Sequence, residues 1–431
     1  MSFLILLAVL AVLLAVGVPI AFAIGVATLA TMLLAIDPGP ALTTMAQRMA
    51  GGINSFALLA IPLFILSGNL MGQGGIAHRL INLARVLFGM FPGGLAFVNV
   101  IACALFGSIS GSAVATTSAV GGMMIPQMRQ EGYSKAFSTA LTAAASTTGL
   151  LIPPSNILIV YAVASGSVSI AALFVAGYIP GLLVALALMV VCAIQARRMG
   201  YKGTAAPALS EVVQAAVDAL PSLLLIVVVI GGIVGGIFTA TEAGAIAVIY
   251  SLLLSVMVYR ELSVKALPAM LLKSAETTAI VMLLIATSTA MSWIMAYENI
   301  PQAVSEGLLS ISDNPLVILL LINLALLLVG AFMDITPAVL IFTPIFLPVA
   351  TELGMSPLHF GIMMVLNLCI GLCTPPVGSL LFVSSAIGKT SIGEIVRPLL
   401  PMYFAMFIVL MIVAYVPATA EWLPAVFGIE Q

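Results

Sequence analysis

Apolar residues run in blocks along this chain, and the blocks are too long and too uniform to be single faces of soluble helices. A helix crossing a bilayer needs about 20 mostly apolar residues. On that measure ten spans are expected, at 3–16, 19–35, 55–73, 134–163 and 168–195, then at 221–237, 241–259, 276–296, 357–387 and 396–416. The first pair is short and joined by a tight turn, Val16, Gly17, Val18 and Pro19, so one long tilted helix is an alternative there. Its counterpart carries Glu242 in the turn. A carboxylate prefers a turn near water to mid-bilayer, which favours two helices each time. Two more apolar segments are interrupted by polar centres: 93–127 at Ser108, Ser110 and Ser112, and 315–349 at Asp334 and Thr336. Such turns free backbone groups that are tolerated at membrane depth only inside protein or beside a wet cavity, so both segments read as re-entrant hairpins. An amphipathic stretch precedes each, 76–90 and 300–312, expected flat along the interface.

Proline and glycine recur at a constant offset. Pro126 pairs with Pro348 and Pro153 with Pro375, each 222 positions apart (348 − 126 and 375 − 153). At the same offset Gly132, Ser134, Gly149 and Leu150 meet Gly354, Ser356, Gly371 and Leu372. Because Gly and Pro shape the backbone, their agreement carries more weight than that of apolar residues. The chain therefore divides into repeats 1–220 and 221–431. Hairpins return to the side they left, so each repeat crosses five times, and an odd count inverts the second repeat relative to the first. Under this topology twelve of the 13 basic residues, Lys273 among them, fall on one face. Arg48 lies opposite, with Asp37, Glu298, Glu306, Asp313, Glu352, Glu421 and Glu430. The positive-inside rule assigns the basic face to the cytoplasm and both termini to the outside. The first hairpin then enters from the cytoplasmic side and the second from the periplasmic side.

Composition narrows the function. Of 431 residues 63% are hydrophobic and 6% charged, so no soluble surface can be built, and a net charge of −2 leaves no basic field for nucleic acid. Two His and four Cys without ligand spacing argue against a transition-metal site. Cys369 and Cys373 lie in an apolar helical stretch, where a free Cys packs as a small hydrophobe. No P-loop is present, and the GSISG string at 107–111 lacks the strand and helix of a nucleophile elbow, so no catalytic residue and no organic cofactor is expected. The apolar stretch 3–34 is far longer than a signal-peptide core and is expected to stay in the membrane.

Paired breaks within inverted repeats point to a secondary transporter, whose two halves exchange roles about a central site. The helix at 134–163 must break at Pro153, Pro154, Ser155 and Asn156, and that at 357–387 at Thr374, Pro375, Pro376, Val377 and Gly378, because Pro removes a donor and clashes with the preceding turn. Each break frees carbonyls suited to Na⁺ on one side and amides suited to a carboxylate on the other. Candidate Na⁺ ligands are Ser108, Ser110, Gly111, Ser112, Pro153 and Asn156 in the first repeat, with Gly330, Asp334, Thr336, Thr374 and Pro375 in the second. Candidate substrate contacts are Pro154, Ser155, Asn156, Pro376, Val377 and Gly378. Hard oxygens with little formal charge fit a monovalent cation better than Ca²⁺ or a transition metal. Hydroxyls in membrane helices also bond to their own backbone, so each Ser and Thr has a purely structural reading beside this one. Asp334 differs, since a carboxylate at membrane depth costs about 2.5–3.5 kcal/mol on the insertion scale.

These motifs resemble the large membrane subunit of the tripartite ATP-independent periplasmic (TRAP) transporters. The likeness rests on FGSISGSA at 106–113, GLLIPPSN at 149–156, FTATEA at 238–243, FMDITP at 332–337 and TPPVG at 374–378, and it extends from the first span to the last. Ala240 departs from it, standing where a Pro is expected. The resemblance implies Na⁺-coupled uptake of a small organic acid across a bacterial inner membrane, by an elevator motion of hairpins and broken helices against a scaffold. It also implies two partners, a small four-helix membrane subunit and a periplasmic substrate-binding protein. A stand-alone sodium/dicarboxylate or ion-transporter-type carrier is the alternative within the class. A membrane-embedded enzyme or a passive channel is the alternative outside it.

Overall fold

The computed structural model describes residues 2–201, 203, 206–312 and 314–429, so Lys202, Asp313 and Glu430, counted in the charge segregation above, lie outside the described residues. All regular elements among those residues are helical. α1 (Ser2–Ala15) and α2 (Ile20–Ala35) are separate helices. Gly17 turns the chain at φ +84°, open to glycine, and Pro19 stands at the N-cap of α2, which removes the single-helix alternative. At 14 and 16 residues both are short. With a rise of about 1.5 Å per residue neither covers by itself the roughly 30 Å of a hydrocarbon core. α3 (Pro38–Gly52) is a helix the apolar blocks did not predict; it buries only Ala41 and Met45.

A 3₁₀ turn at Phe56–Leu59 leads into α4 (Ala60–Gln73), followed by α5 (Ile76–Phe88), α6 (Gly94–Ser110) and α7 (Ala113–Gln130). Next come α8 (Lys135–Ser146), the single turn α9 (Thr148–Leu151), α10 (Asn156–Ser165) and α11 (Ile170–Met199). The second half holds α12 (Leu209–Val234), α13 (Ala240–Leu253) with a π turn at Leu254–Val258, α14 (Leu267–Tyr297), α15 (Ile300–Leu309), α16 (Pro315–Phe332) and α17 (Ile335–Glu352). α18 (Pro357–Leu372), α19 (Ser379–Gly388), α20 (Ile392–Tyr415) and α21 (Ala418–Val426) complete it.

The expected spans at 55–73, 168–195, 221–237, 241–259, 276–296 and 396–416 coincide with helices long and apolar enough to cross a membrane, and 134–163 with a pair bent by 50°. α12 and α14 begin well before 221 and 276, because Pro221, Asp218 and Lys273 interrupt the apolar run without ending the helix. The arms α16 and α17 have 18 residues each and would also be long enough to cross, so length alone does not make that hairpin re-entrant. Ala240 occupies the first helical position of α13, where a Pro would be equally at home. Thr239 and Glu242 form a reciprocal cap there, the Thr239 amide donating to Glu242 at 2.8 Å and the Glu242 amide to Thr239 Oγ1 at 3.2 Å. The glycines at 231–236 look like a helix-packing motif and act otherwise. Gly232 makes room for the Phe238 ring, and Gly236 takes φ +67° in the turn before α13.

The halves interlock. α4 and α13 run parallel, with Thr241 Oγ1 donating to the Phe56 carbonyl at 3.0 Å, Ser67 and Ser251 sharing a bond of 3.0 Å, and Ser255 Oγ reaching the Leu70 carbonyl at 3.4 Å. α2 packs on α14, Gly25 lying against Thr287. The broken helices run antiparallel: Lys135 at the start of α8 donates to the Lys389 carbonyl after α19, while Tyr161 in α10 donates to the Pro357 carbonyl at 2.6 Å where α18 begins. The offset of 222 persists in three dimensions. α11 starts at Ile170 and α20 at Ile392, Gly132 and Gly354 turn at φ +87° and +86°, and the peptide bonds Pro153-Pro154 and Pro375-Pro376 are both cis. Large apolar side chains such as Val190, Val227 and Phe404 point outward, as a lipid-facing surface requires.

Candidate functional site

Each hairpin tip is driven against the break of its own half. In the first, α6 ends at Ser110, Gly111 takes φ +60°, and Ser112 caps α7 by accepting from the Ala115 amide at 3.3 Å. Gly111 lies so close to the Pro154 carbonyl and to the Asn156 amide and side chain that a Cβ there would stand 3.2–3.4 Å from them. In the second, Asp334 occupies the position equivalent to Ser112 and caps α17, its Oδ1 accepting from the Ile335 amide at 2.7 Å. The Ala331 carbonyl beside it accepts from the amides of Val377 and Gly378 at 3.2 and 3.1 Å. Behind both tips the hairpin crosses the unbroken part of the helix through glycine. A Cβ on Gly149 would stand 2.2 Å from the Gly107 Cα, and one on Gly371 2.5 Å from the Gly330 Cα.

The two tips open onto one cavity of about 510 Å³. Ser110, Gly111, Ser112 and Asn156 line it from the first half, and Asp334 and Thr336 from the second. Asp334 is exposed to this space. The Oδ1 of Asn156 and the Oγ of Ser379 are buried without a hydrogen-bond partner, one at the start of α10 and one at the start of α19. Neither helix has a side-chain cap. The uncapped N-termini of two half-helices favour an anion, to which the Ser379 hydroxyl can donate, whereas the Asn156 Oδ1 only accepts and suits a cation.

Other expected residues stand apart from the cavity. The hydroxyls of Ser108, Ser155 and Thr374 donate to the carbonyls of Leu105, Leu150 and Ile370 at 2.8, 2.6 and 2.8 Å. They satisfy carbonyls that the helix ends release, which is the structural role open to any membrane hydroxyl. Tyr403 takes the Cys373 carbonyl in the same way. Pro154 faces a small apolar void beside Phe64 and Ile109 instead. Pro153, Pro375, Pro376, Val377, Gly378 and Gly330 shape the breaks and the crossing without lining the cavity. Ser379, Asn69, Lys273 and Thr277 do line it, and the motifs did not single them out. For Asn69, Lys273 and Thr277 the only available signal was polarity at positions on otherwise apolar helices. No group of three or more His, Cys, Asp or Glu side chains that would hold a metal ion is present among the described residues.

Residues 7–419 match the family described as "Tripartite ATP-independent periplasmic transporter, DctM component". The chain is 55% identical to the Salmonella typhimurium protein YgiK over 97% of its own length and 96% of that protein. It is 41% identical to the sialic acid TRAP transporter large permease protein SiaM of Vibrio cholerae serotype O1, covering 95% and 96% of the two chains. To the C4-dicarboxylate TRAP transporter large permease protein DctM of Rhodobacter capsulatus it is 40% identical, over 99% and 100%. Among solved structures, the YdaH transporter of Alcanivorax borkumensis superposes with a TM-score of 0.65 over 90% of each chain at 16% identity, a likeness of fold alone.

Proposed function

Because the chain belongs to the DctM component family of the tripartite ATP-independent periplasmic transporters, we propose that it imports a small organic acid by coupling it to Na⁺. In this reading the hairpins and broken helices move as one body along a scaffold that includes α2, α4 and α14. The observation that carries it is the convergence on one cavity of both hairpin tips and of the residues that open the half-helices after both breaks, Asn156 and Ser379. Asp334, Thr336, Ser110 and Ser112 offer hard oxygens with one formal charge, which suits Na⁺. The uncapped starts of α10 and α19, with the Ser379 hydroxyl, suit the substrate carboxylate. The chemistry matches the sialic acid and C4-dicarboxylate named for the two permease relatives, both carboxylates. Gly68 of α4 supports a gliding contact: a Cβ there would stand 2.8 Å from the Ser110 carbonyl, so the scaffold meets the first tip backbone to backbone.

The inverted topology, with the basic face in the cytoplasm, is part of the proposal. Basic ends gather: Lys135 meets the end of α19, and Arg79 pairs with Glu261 at 2.8 Å and lies 3.6 Å above the Tyr259 ring. At the opposite helix ends Ser356 donates to Glu421, Ser305 to Glu352 at 2.6 Å, and Tyr415 to the Leu316 carbonyl at 2.9 Å. A small membrane subunit and a periplasmic binding protein complete the assembly. Uptake into proteoliposomes holding both membrane subunits, with the binding protein outside, is expected to require an inward Na⁺ gradient and to fail when Asp334→Ala and Ser110→Ala are combined. Na⁺-independent uptake would sink the proposal, and uptake undiminished without the binding protein would favour the stand-alone carrier.

A further inference from the structure

α14 presents one stripe of side chains to the cavity: Lys273, Thr277, Ile280, Val281 and Leu284, spaced i, i+4, i+7, i+8 and i+11. Lys273 stands at the end of that stripe. Of the described residues lining the cavity it is the only cation, as Asp334 is the only anion. No carboxylate lies within 4.0 Å of its amine among the described residues, where Arg79 with Glu261 is the one ion pair. Glu276, one turn further along α14, is not part of the lining. Its polar neighbours bond elsewhere: Asn69 Nδ2 donates to Ser274 Oγ at 2.8 Å, which ties α4 to α14, and Thr277 Oγ1 donates to the Lys273 backbone carbonyl at 3.0 Å. A lysine that served only as a topological marker would snorkel to interfacial water on the lipid side. This one belongs to the face turned toward Asn156, Ser379 and Asp334.

We infer that Lys273 is an anion-binding residue of the transport path, the group that takes the carboxylate as it leaves the N-termini of α10 and α19. This inference rests on the organic-acid reading above and adds a substrate contact that neither hairpin nor break supplies. An ammonium has three donors and no acceptor, so a carboxylate is the partner its geometry asks for. Its place on the scaffold gives the contact a condition. It forms only when the hairpins and broken helices stand as they do here, so it adds affinity to this state and not to its opposite.

The test is a thermal-denaturation titration of the purified complex with succinate and with N-acetylneuraminate, each as sodium and as potassium salt, against chloride at equal ionic strength. The expected result is that at least one of the two anions raises the wild-type Tm. Lys273→Gln then needs about tenfold or more anion for the same rise, as for loss of a charged hydrogen bond, while Lys273→Arg behaves like wild type. Because Lys273 is exposed and forms no ion pair, Lys273→Gln is expected to keep the wild-type Tm in chloride. If neither anion stabilises the wild type, or if Lys273→Gln responds at the same concentrations, the inference is overturned. A response equal in sodium and potassium salts yet lost in Lys273→Gln would remove Na⁺ coupling and leave Lys273 in place.

Discussion

Ser112 and Asp334 occupy equivalent places, each the N-cap of a hairpin's second arm, and they differ by one formal charge. That difference separates two roles of Asp334 by experiment. Asp334→Asn keeps a cap acceptor for the Ile335 amide and removes the charge, whereas Asp334→Ala removes both. Asn is expected to leave the Tm nearly unchanged and Ala to cost about 1 kcal/mol. Both are expected to raise the Na⁺ concentration for half-maximal uptake about tenfold or more, the scale of a lost charged contact. Wild-type Na⁺ dependence in Asp334→Asn would show that the carboxylate is only a cap. Asp334 was conspicuous in the sequence because ionisable groups are so scarce at membrane depth. The split among hydroxyls was not legible: whether Ser110 faces a cavity while Ser155 turns back to Leu150 depends on local turn geometry that all serines share.

At the scale of elements, the helix breaks were the most legible feature, since two consecutive prolines end a helix wherever they fall. What lies against them was harder to read. Gly149 and Gly371 align at the repeat offset, but their partners Gly107 and Gly330 become visible only where the helices cross. With backbone in the way, Gly149→Ala and Gly371→Ala are each expected to destabilise by about 1–3 kcal/mol, as overpacking does. Gly122→Ala, whose added methyl meets nothing within 4 Å, serves as the control. Equal Tm values for all three would mean that the crossings are loose. α3 did not stand out as an apolar block because its 15 residues include two Thr, Gln47, Arg48 and three Gly, and α21 because it has only nine residues.

For the whole molecule, the inverted topology can be tested by single cysteines in a background whose four native cysteines are buried. An impermeant thiol reagent applied to intact cells with a permeable outer membrane is expected to label Cys replacing Glu306, and to reach Cys replacing Arg197 only after the inner membrane is opened. Labelling of both from outside would undo the orientation. Charge scarcity is what argues for this orientation, because thirteen basic residues distributed over a chain that is 63% hydrophobic leave few competing arrangements. By itself the sequence determined that the chain lives in lipid, where its helices break, and that two stretches repeat at an offset of 222. Those properties follow from hydropathy and from the backbone limits of Pro and Gly, which act over a few residues. Tertiary structure decided that Ser110, Asn156, Asp334, Ser379 and Lys273, from both halves and from α14, share one cavity. That meeting depends on how helices distant in sequence cross and interlock, and no local preference of any one of them encodes it.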